Sequence, residues 1–149
     1  TIFFFVGLFI LVGGLVDLGV MKVLAAKILA LTDGNIMTTS ILLIWVSGFL
    51  SAVIDNIPYV ATMIPLIQDM GNALGQAQIE PLWWSLAIGA CFGGNGTLVG
   101  ASANVVSVGL ANKSGYKISF WDFTKVGSFI TLITLVISTA YVYIRYFVF

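Results

Sequence analysis

The sequence predicts an all-α integral membrane protein with a re-entrant helical hairpin and a broken transmembrane helix. Of its 149 residues, 60% are hydrophobic and only 8% are charged, whereas soluble domains carry about 25% charged residues. So few charges cannot cover a water-facing surface, and the expected surroundings are therefore the lipid bilayer. Two polar segments, 55–58 and 93–97, interrupt otherwise apolar runs. The net charge of zero argues against nucleic acid as a partner.

The first two predicted elements are the end of a transmembrane helix and an interfacial helix. Residues 2–16 are apolar but fall short of the roughly 20 residues that a span needs, so sequence upstream is expected. Residues 18–31 carry Lys22 and Lys27 in an otherwise apolar pattern, which is typical of a helix lying at the membrane surface. The turn residues 32–35 end this helix.

Residues 36–70 are predicted to form the re-entrant hairpin, with its tip at 55–58. Pro58 lacks a backbone donor and disfavours a helical turn before it, so the helix must break there. The segment is too long for one span, and its second arm is too short to be another. A hairpin that turns at mid-depth fits both lengths. It also places the Asp55 carboxylate at depth, which is expensive unless the tip lines a binding cavity.

Residues 82–111 are predicted to form a broken transmembrane helix, and 123–147 the last span. Three glycines in the loop 93–97 allow the backbone of the broken helix to unwind. The connecting segment 112–121 carries two lysines, whereas the loop before the broken helix carries acids and no basic residue. The positive-inside rule therefore places 112–121 in the cytoplasm.

Each break leaves unpaired backbone groups at the ends of two half-helices. The second halves are expected to begin near Pro58 and Leu98, with Thr97 as an N-cap, and their N–H groups would favour an anion. The first halves are expected to end near Ile54 and Phe92, where carbonyl groups would favour a cation. Secondary transporters place ion and substrate sites at such broken helices.

The candidate ion- or substrate-binding residues are the polar and glycine residues at these breaks: Asp55, Asn56, Asn95, Gly96, Thr97, Ser102 and Asn104. Their oxygens suit a hard cation such as sodium. The expected ligands of a bound sodium ion are Asp55, Asn56, Asn95 and Thr97. No cofactor other than this ion is expected. A proton and a cation would compete for the Asp55 carboxylate, and this competition would couple their movements.

Structural interpretations of the same residues remain open. Asp55 could cap the second arm of the hairpin, and Gly100, in a G-x-x-x-G pair, could belong to a helix-packing face. Ser47 and Ser51 are expected to bond to carbonyls of their own helix. Cys91, the single cysteine, is expected to be a buried thiol.

Other classes of protein fit the sequence less well. An intramembrane enzyme is not expected, because the chain has no histidine and one deep acid. An ion channel and a structural membrane subunit remain alternatives. The combination of a discontinuous hairpin and a broken helix favours alternating access.

Segments 51–58 and 93–104 resemble the second-half signatures of the ion transporter superfamily. They are most similar to its ArsB/NhaD permease branch, which includes P protein-like and citrate transporter-like domains. The resemblance implies that the chain is the C-terminal member of two inverted repeats. Its partners would be the missing N-terminal repeat and a second copy of the full transporter, and hairpin and broken helix would move together like an elevator.

The function implied by this resemblance is secondary active transport across a bacterial cytoplasmic membrane, by sodium/proton antiport or another ion-coupled mechanism. Sodium-coupled dicarboxylate members carry a Ser-Asn-Thr type sequence at the hairpin tip, where this chain has Asp55-Asn56-Ile57-Pro58. The added negative charge argues against a carboxylate substrate. The alternative is sodium- or proton-coupled transport of an anion, such as a dicarboxylate or citrate, or efflux of arsenite or antimonite.

Overall fold

The computed structural model describes residues 2–149, and all regular structure in that range is helical. The α-helices are α1 (Ile2–Asp17), α2 (Val20–Leu31), α3 (Ile36–Ser51), α4 (Asn56–Leu74), α5 (Glu80–Gly93), α6 (Ser102–Lys113) and α7 (Phe120–Tyr143). A 3-10 turn, Gln76–Gln78, precedes α5, and a π-helical turn, Ile144–Val148, continues α7. The predicted all-α class is confirmed.

Within residues 2–149, one helix is by itself long and apolar enough to cross a bilayer. It is α7 with its π-helical turn, Phe120–Val148, which is 29 residues long. The end of α1 and the whole of α2 satisfy the same criteria only as a pair bent by 71°. Gly19 lies at this bend with φ at 72°, a left-handed conformation that glycine adopts without steric cost. The re-entrant and interfacial positions remain predictions.

Both breaks lie in the predicted runs, but the second break is longer than expected. The first covers residues 52–55, and α4 then begins at Asn56, so Pro58 lies in a first turn that tolerates proline. The second break covers residues 94–101, and α6 begins at Ser102 instead of near Leu98. Side chains donate hydrogen bonds to three backbone carbonyls of this segment.

The most extensive helix packing joins α3 and α5, which run parallel. Gly89 lies against Ile44, and Gly93 lies against Gly48. In each pair the two residues are 45 positions apart in the sequence. A Cβ atom at Gly89 would lie 2.6 Å from the Ile44 carbonyl oxygen, and one at Gly93 would collide with the Gly48 carbonyl. The two helices therefore touch backbone to backbone, as small residues allow in membrane proteins.

The core lies on both sides of this helix pair. On one side, side chains of α2, α4 and α5 form a cluster that includes Met21, Leu66, Ile67, Met70, Leu82 and Leu86. On the other side, Leu135 and Val142 of α7 pack with Ile44. The pair α3–α5 is thus held between α4 and α7, and it fixes where both breaks lie.

Two sequence-based expectations about small side chains on these helices are wrong. The Ser51 hydroxyl donates to the Ala90 carbonyl of α5 at 2.7 Å, and Ser47 accepts from the Tyr59 hydroxyl at 3.1 Å, so neither bonds within its own helix. Cys91 is exposed. The face of α5 that packs against α3 carries Gly89 and Gly93, and Cys91 lies on the opposite face, where it lines a groove with residues of α1 and α4.

Ser40 and Ser85 are also 45 residues apart, and both are fully buried in α3 and α5. Neither hydroxyl has a hydrogen-bond partner among the residues that the structure describes. Because an unpartnered buried hydroxyl costs free energy, we expect Ser85→Ala to raise the free energy of unfolding by about 1 kcal/mol. Ser51→Ala is the control and should lower the free energy of unfolding, because it removes the hydrogen bond to the Ala90 carbonyl. Unfolding of the full-length protein in mixed detergent micelles measures both, and equal destabilisation by the two variants would contradict the prediction.

Candidate functional site

One carboxylate, that of Asp55, joins the N-termini of α4 and α6. Asp55 is the N-cap of α4, and its Oδ1 accepts from the Ile57 N–H at 3.1 Å. Its Oδ2 accepts from the backbone N–H of Ser102 at 3.1 Å and from the Ser102 hydroxyl at 2.5 Å. A negative charge is favourable at both helix ends because unpaired N–H groups and the positive end of the helix dipole point to it. Asp55 therefore caps the second arm and also bridges the two breaks.

The protonation state of Asp55 affects this bridge directly. Two of the three donors to its carboxylate are backbone N–H groups, which cannot accept a hydrogen bond in return. A proton on the carboxyl group would remove the charge that strengthens these bonds and would occupy one acceptor position. Neutralising Asp55 would therefore loosen the link between α4 and α6.

Thr97 does not cap the second half-helix, contrary to expectation. Its hydroxyl donates to the Ala52 carbonyl, just after α3, and accepts from the Gly100 N–H at 3.1 Å. The residue before α6 is Ala101, which has no side-chain cap. The Asp55 carboxylate, 47 residues earlier in the chain, accepts from the Ser102 N–H at the start of α6. The Thr97 hydroxyl instead links the second break to Ala52 in the first break.

Asn104 holds the second break against α6. Its Nδ2 donates to the Gly94 carbonyl at 2.9 Å and to the Thr97 carbonyl at 3.0 Å. Gly100 packs against the same backbone, since a Cβ atom there would lie 2.7 Å from the Gly94 oxygen and 3.0 Å from the Ala52 oxygen. Gly100 is thus closely packed, but it lies in the unwound segment with Gly96, so the pair does not form the helix-packing face that the sequence suggested.

The structure brings some of the predicted site residues together and separates others. Asp55 contacts Ser102, and Thr97 and Asn104 share the loop 94–101. Asn56 lines an apolar groove of about 390 Å³ with residues of α1, α4 and α5. Asn95 is exposed and lines another groove, of about 370 Å³, with residues of α7. Of the four expected sodium ligands, Asn56 and Asn95 thus line different grooves, so the structure does not bring the four together at one point.

Two hydroxyls of α7 contact the end of α5 and the second break, and they were not among the predicted site residues. Ser128 donates to the Gly96 carbonyl at 3.0 Å, and Thr131 donates to the Phe92 carbonyl at 3.1 Å. Gly96 is buried between them and Ala52. The available signal was the spacing of Ser128 and Thr131, which places two hydroxyls on one face of an apolar helix.

Comparison with known proteins places these features in a family. The profile of the CitMHS family, described as a citrate transporter, matches residues 1–89. An uncharacterized transporter of Mycobacterium tuberculosis is 49% identical over 149 residues, which cover 99% of this chain and 35% of the relative. The 46 kDa membrane protein of Mycobacterium leprae is 46% identical over the same shares. The P protein of Mus musculus is 38% identical over 99% of this chain and 18% of its own length.

The chain spans about a third of the length of the bacterial relatives it matches. No solved structure matches it. The similarity to P protein and to the citrate transporter profile confirms the resemblance inferred from the two polar motifs, and the bacterial relatives extend over both motifs. The family is one of membrane transporters and not of enzymes. The chain therefore belongs to the CitMHS citrate transporter family.

Proposed function

We propose that this chain is the C-terminal half of a secondary active transporter that exchanges sodium for protons, with Asp55 as the coupling carboxylate. The observation that carries the proposal is the double contact of Asp55, which binds the N-termini of α4 and α6 with one side chain. A change in the charge of this carboxylate therefore acts on both breaks at once.

The proposed cycle uses two states of Asp55. In the ionised state the carboxylate holds α4 and α6 together and attracts a cation to its remaining lone pairs. In the protonated state it gives up bonds to Ser102, and the two helix ends can separate. Because cation and proton favour opposite states of one group, each would be released as the other binds.

The complete transporter in this proposal includes an N-terminal repeat, which supplies the other half of the site, and it works as a homodimer in a bacterial cytoplasmic membrane. The segment 112–121 faces the cytoplasm. Its lysines and the lack of basic residues in the loop before α5 support this orientation.

The test uses the full-length transporter in proteoliposomes with a trapped pH dye. An imposed sodium gradient should change the internal pH with wild-type protein, and Asp55→Asn should abolish the change. Asp122→Asn is the matched control, because Asp122 also accepts from a serine, Ser119, but within a local capping box. The control should retain proton movement. Sodium-driven proton flux that persists in Asp55→Asn would refute the proposal.

A second candidate function is proton-coupled transport of an anion, such as the citrate after which the family is described. It is favoured by the N-terminus of α6, where Ser102 now binds the Asp55 carboxylate as it would bind a carboxylate ligand. Protonation of Asp55 would free this position. Uptake of labelled citrate driven by a proton gradient, without sodium dependence, would select this function over antiport.

A further inference from the structure

A groove between α2 and α4 combines charged side chains with small ones. Its volume is about 360 Å³, which lies within the range of about 300–1,000 Å³ that is usual for small-molecule sites. One face of each helix lines it, with residues three and four positions apart, and its alanines leave the space open. The lining residues are Lys22, Ala25, Ala26 and Leu29 of α2 and Asp69, Asn72 and Ala73 of α4.

The groove holds one positive and one negative charge that are not paired with each other. Lys22 belongs to α2 and Asp69 to α4, and within residues 2–149 the structure shows no ion pair between them. The Oδ1 atom of Asn72 accepts from Gln76 Nε2 at 3.2 Å, so its Nδ2 can donate to a ligand. Ammonium and amide N–H groups favour an anionic group, whereas the carboxylate favours a cationic one.

Each charge also lies toward the end of its helix at which the dipole has the same sign. Lys22 is in the first turn of α2, which has no acidic residue there and no side-chain cap at Gly19. Asp69 lies one turn before the last turn of α4, which has no basic residue. Such positions are unfavourable unless groups of opposite sign compensate them. A ligand that is anionic beside Lys22 and cationic beside Asp69 would compensate both.

The surroundings of the groove favour a lipid over a soluble zwitterion. Val23, Leu24 and Leu31 of α2 are exposed although they are apolar. Exposed apolar side chains together with lysines are typical of a helix at the membrane surface. With α2 in its predicted interfacial position, lipid headgroups lie beside the groove.

We infer that this groove binds the headgroup of a zwitterionic phospholipid with a primary ammonium, the chemistry of phosphatidylethanolamine. The Lys22 ammonium and the Asn72 amide bind the phosphate, and the Asp69 carboxylate binds the ethanolamine ammonium. The bound lipid links the interfacial helix α2 to the second arm of the hairpin. The inference goes beyond the proposed ion exchange and involves neither of the two breaks.

The test measures lipid binding to the delipidated full-length transporter, released from detergent, by native mass spectrometry. Phosphatidylethanolamine should bind about tenfold more tightly than phosphatidylglycerol, which lacks the ammonium, or phosphatidylcholine, whose quaternary ammonium has no N–H donor. Lys22→Gln and Asp69→Asn should each weaken binding about tenfold, because each variant loses a charged hydrogen bond. Ala73→Leu fills the groove without changing any charge and should weaken binding too, so a folding defect in one variant does not decide the result.

Lys27→Gln and Asp33→Asn are the matched controls, because they remove the same charges from residues outside the groove and asparagine tolerates the φ of 49° at residue 33. Both should bind phosphatidylethanolamine as the wild type does. Equal affinity of the wild type for phosphatidylethanolamine and phosphatidylglycerol would overturn the inference. So would wild-type affinity in Lys22→Gln, Asp69→Asn and Ala73→Leu, even if the first two lost thermal stability, since these residues would then only attract each other. The assay imposes no ion gradient, so its failure would leave sodium/proton exchange untouched.

Discussion

Gly93→Ala is expected to prevent stable folding of the transporter, with a loss of about 3 kcal/mol in the free energy of unfolding. The added Cβ would meet the Gly48 backbone, with its Cα atom at 2.7 Å and its carbonyl carbon at 2.8 Å. Backbone atoms cannot turn aside as the end of a flexible side chain can, so α3 and α5 would have to move apart. Overpacking of this kind costs about 1–3 kcal/mol and occasionally more.

Gly109→Ala is the matched control for this prediction. Gly109 lies inside α6, and a Cβ atom there would meet nothing within 4 Å. Alanine is favoured over glycine in a helix by about 1 kcal/mol, so this variant should be neutral or more stable. Expression and thermal unfolding of both full-length variants in detergent give the comparison. Equal stability of the two variants would contradict the close α3–α5 contact.

The second large effect is expected from the Asp55–Ser102 pair. Asp55→Ala removes a cap from two helices at once and should lower the free energy of unfolding by about 2 kcal/mol, since one cap contributes about 1 kcal/mol. Ser102→Ala removes the hydroxyl bond and should cost about 1 kcal/mol. The variant with both substitutions should be no less stable than Asp55→Ala alone, because Asp55→Ala already removes the bond from the Ser102 hydroxyl.

A double-mutant cycle on unfolding of the full-length protein in mixed micelles measures this interaction. The coupling energy is expected to be about 1 kcal/mol, which is typical of residues in direct contact. Ser107 lies at an exposed position further along α6. The changes in unfolding free energy caused by Ser107→Ala and Asp55→Ala should therefore be additive. Strict additivity of the Asp55 and Ser102 substitutions would show that the bridge between α4 and α6 contributes nothing to stability.

The positions of the breaks could be predicted because they depend on local chemistry. Pro58 and the glycines of 93–97 act on their own segments of backbone, and both interruptions lie at or beside these residues. The pairing of the breaks with each other could also be anticipated, because an acid in an apolar run needs polar partners. The membrane class followed from composition alone.

The partners of individual hydroxyls could not be predicted, because they depend on the register between helices that are distant in sequence. Ser51 faces α5 and Thr97 faces the end of α3 only because the two helices are in contact at a fixed offset along the chain. That offset is set by where glycines allow the backbones to touch. The capping of α6 by Asp55 has the same origin, and local rules pointed to Thr97 instead.

The backbone contact between α3 and α5 also determines which parts of the molecule are mechanically independent. A contact through side chains can be released by rotation, but Gly48 and Gly93 offer nothing to rotate. The two half-helices therefore behave as one rigid body, and they carry both breaks with them. The contacts with α7 include two hydroxyl–carbonyl bonds, which rotation of the Ser128 and Thr131 side chains would release. A large displacement would thus keep the C-terminal ends of α3 and α5 together and change their position along α7, whereas α4 and α6 can still move apart.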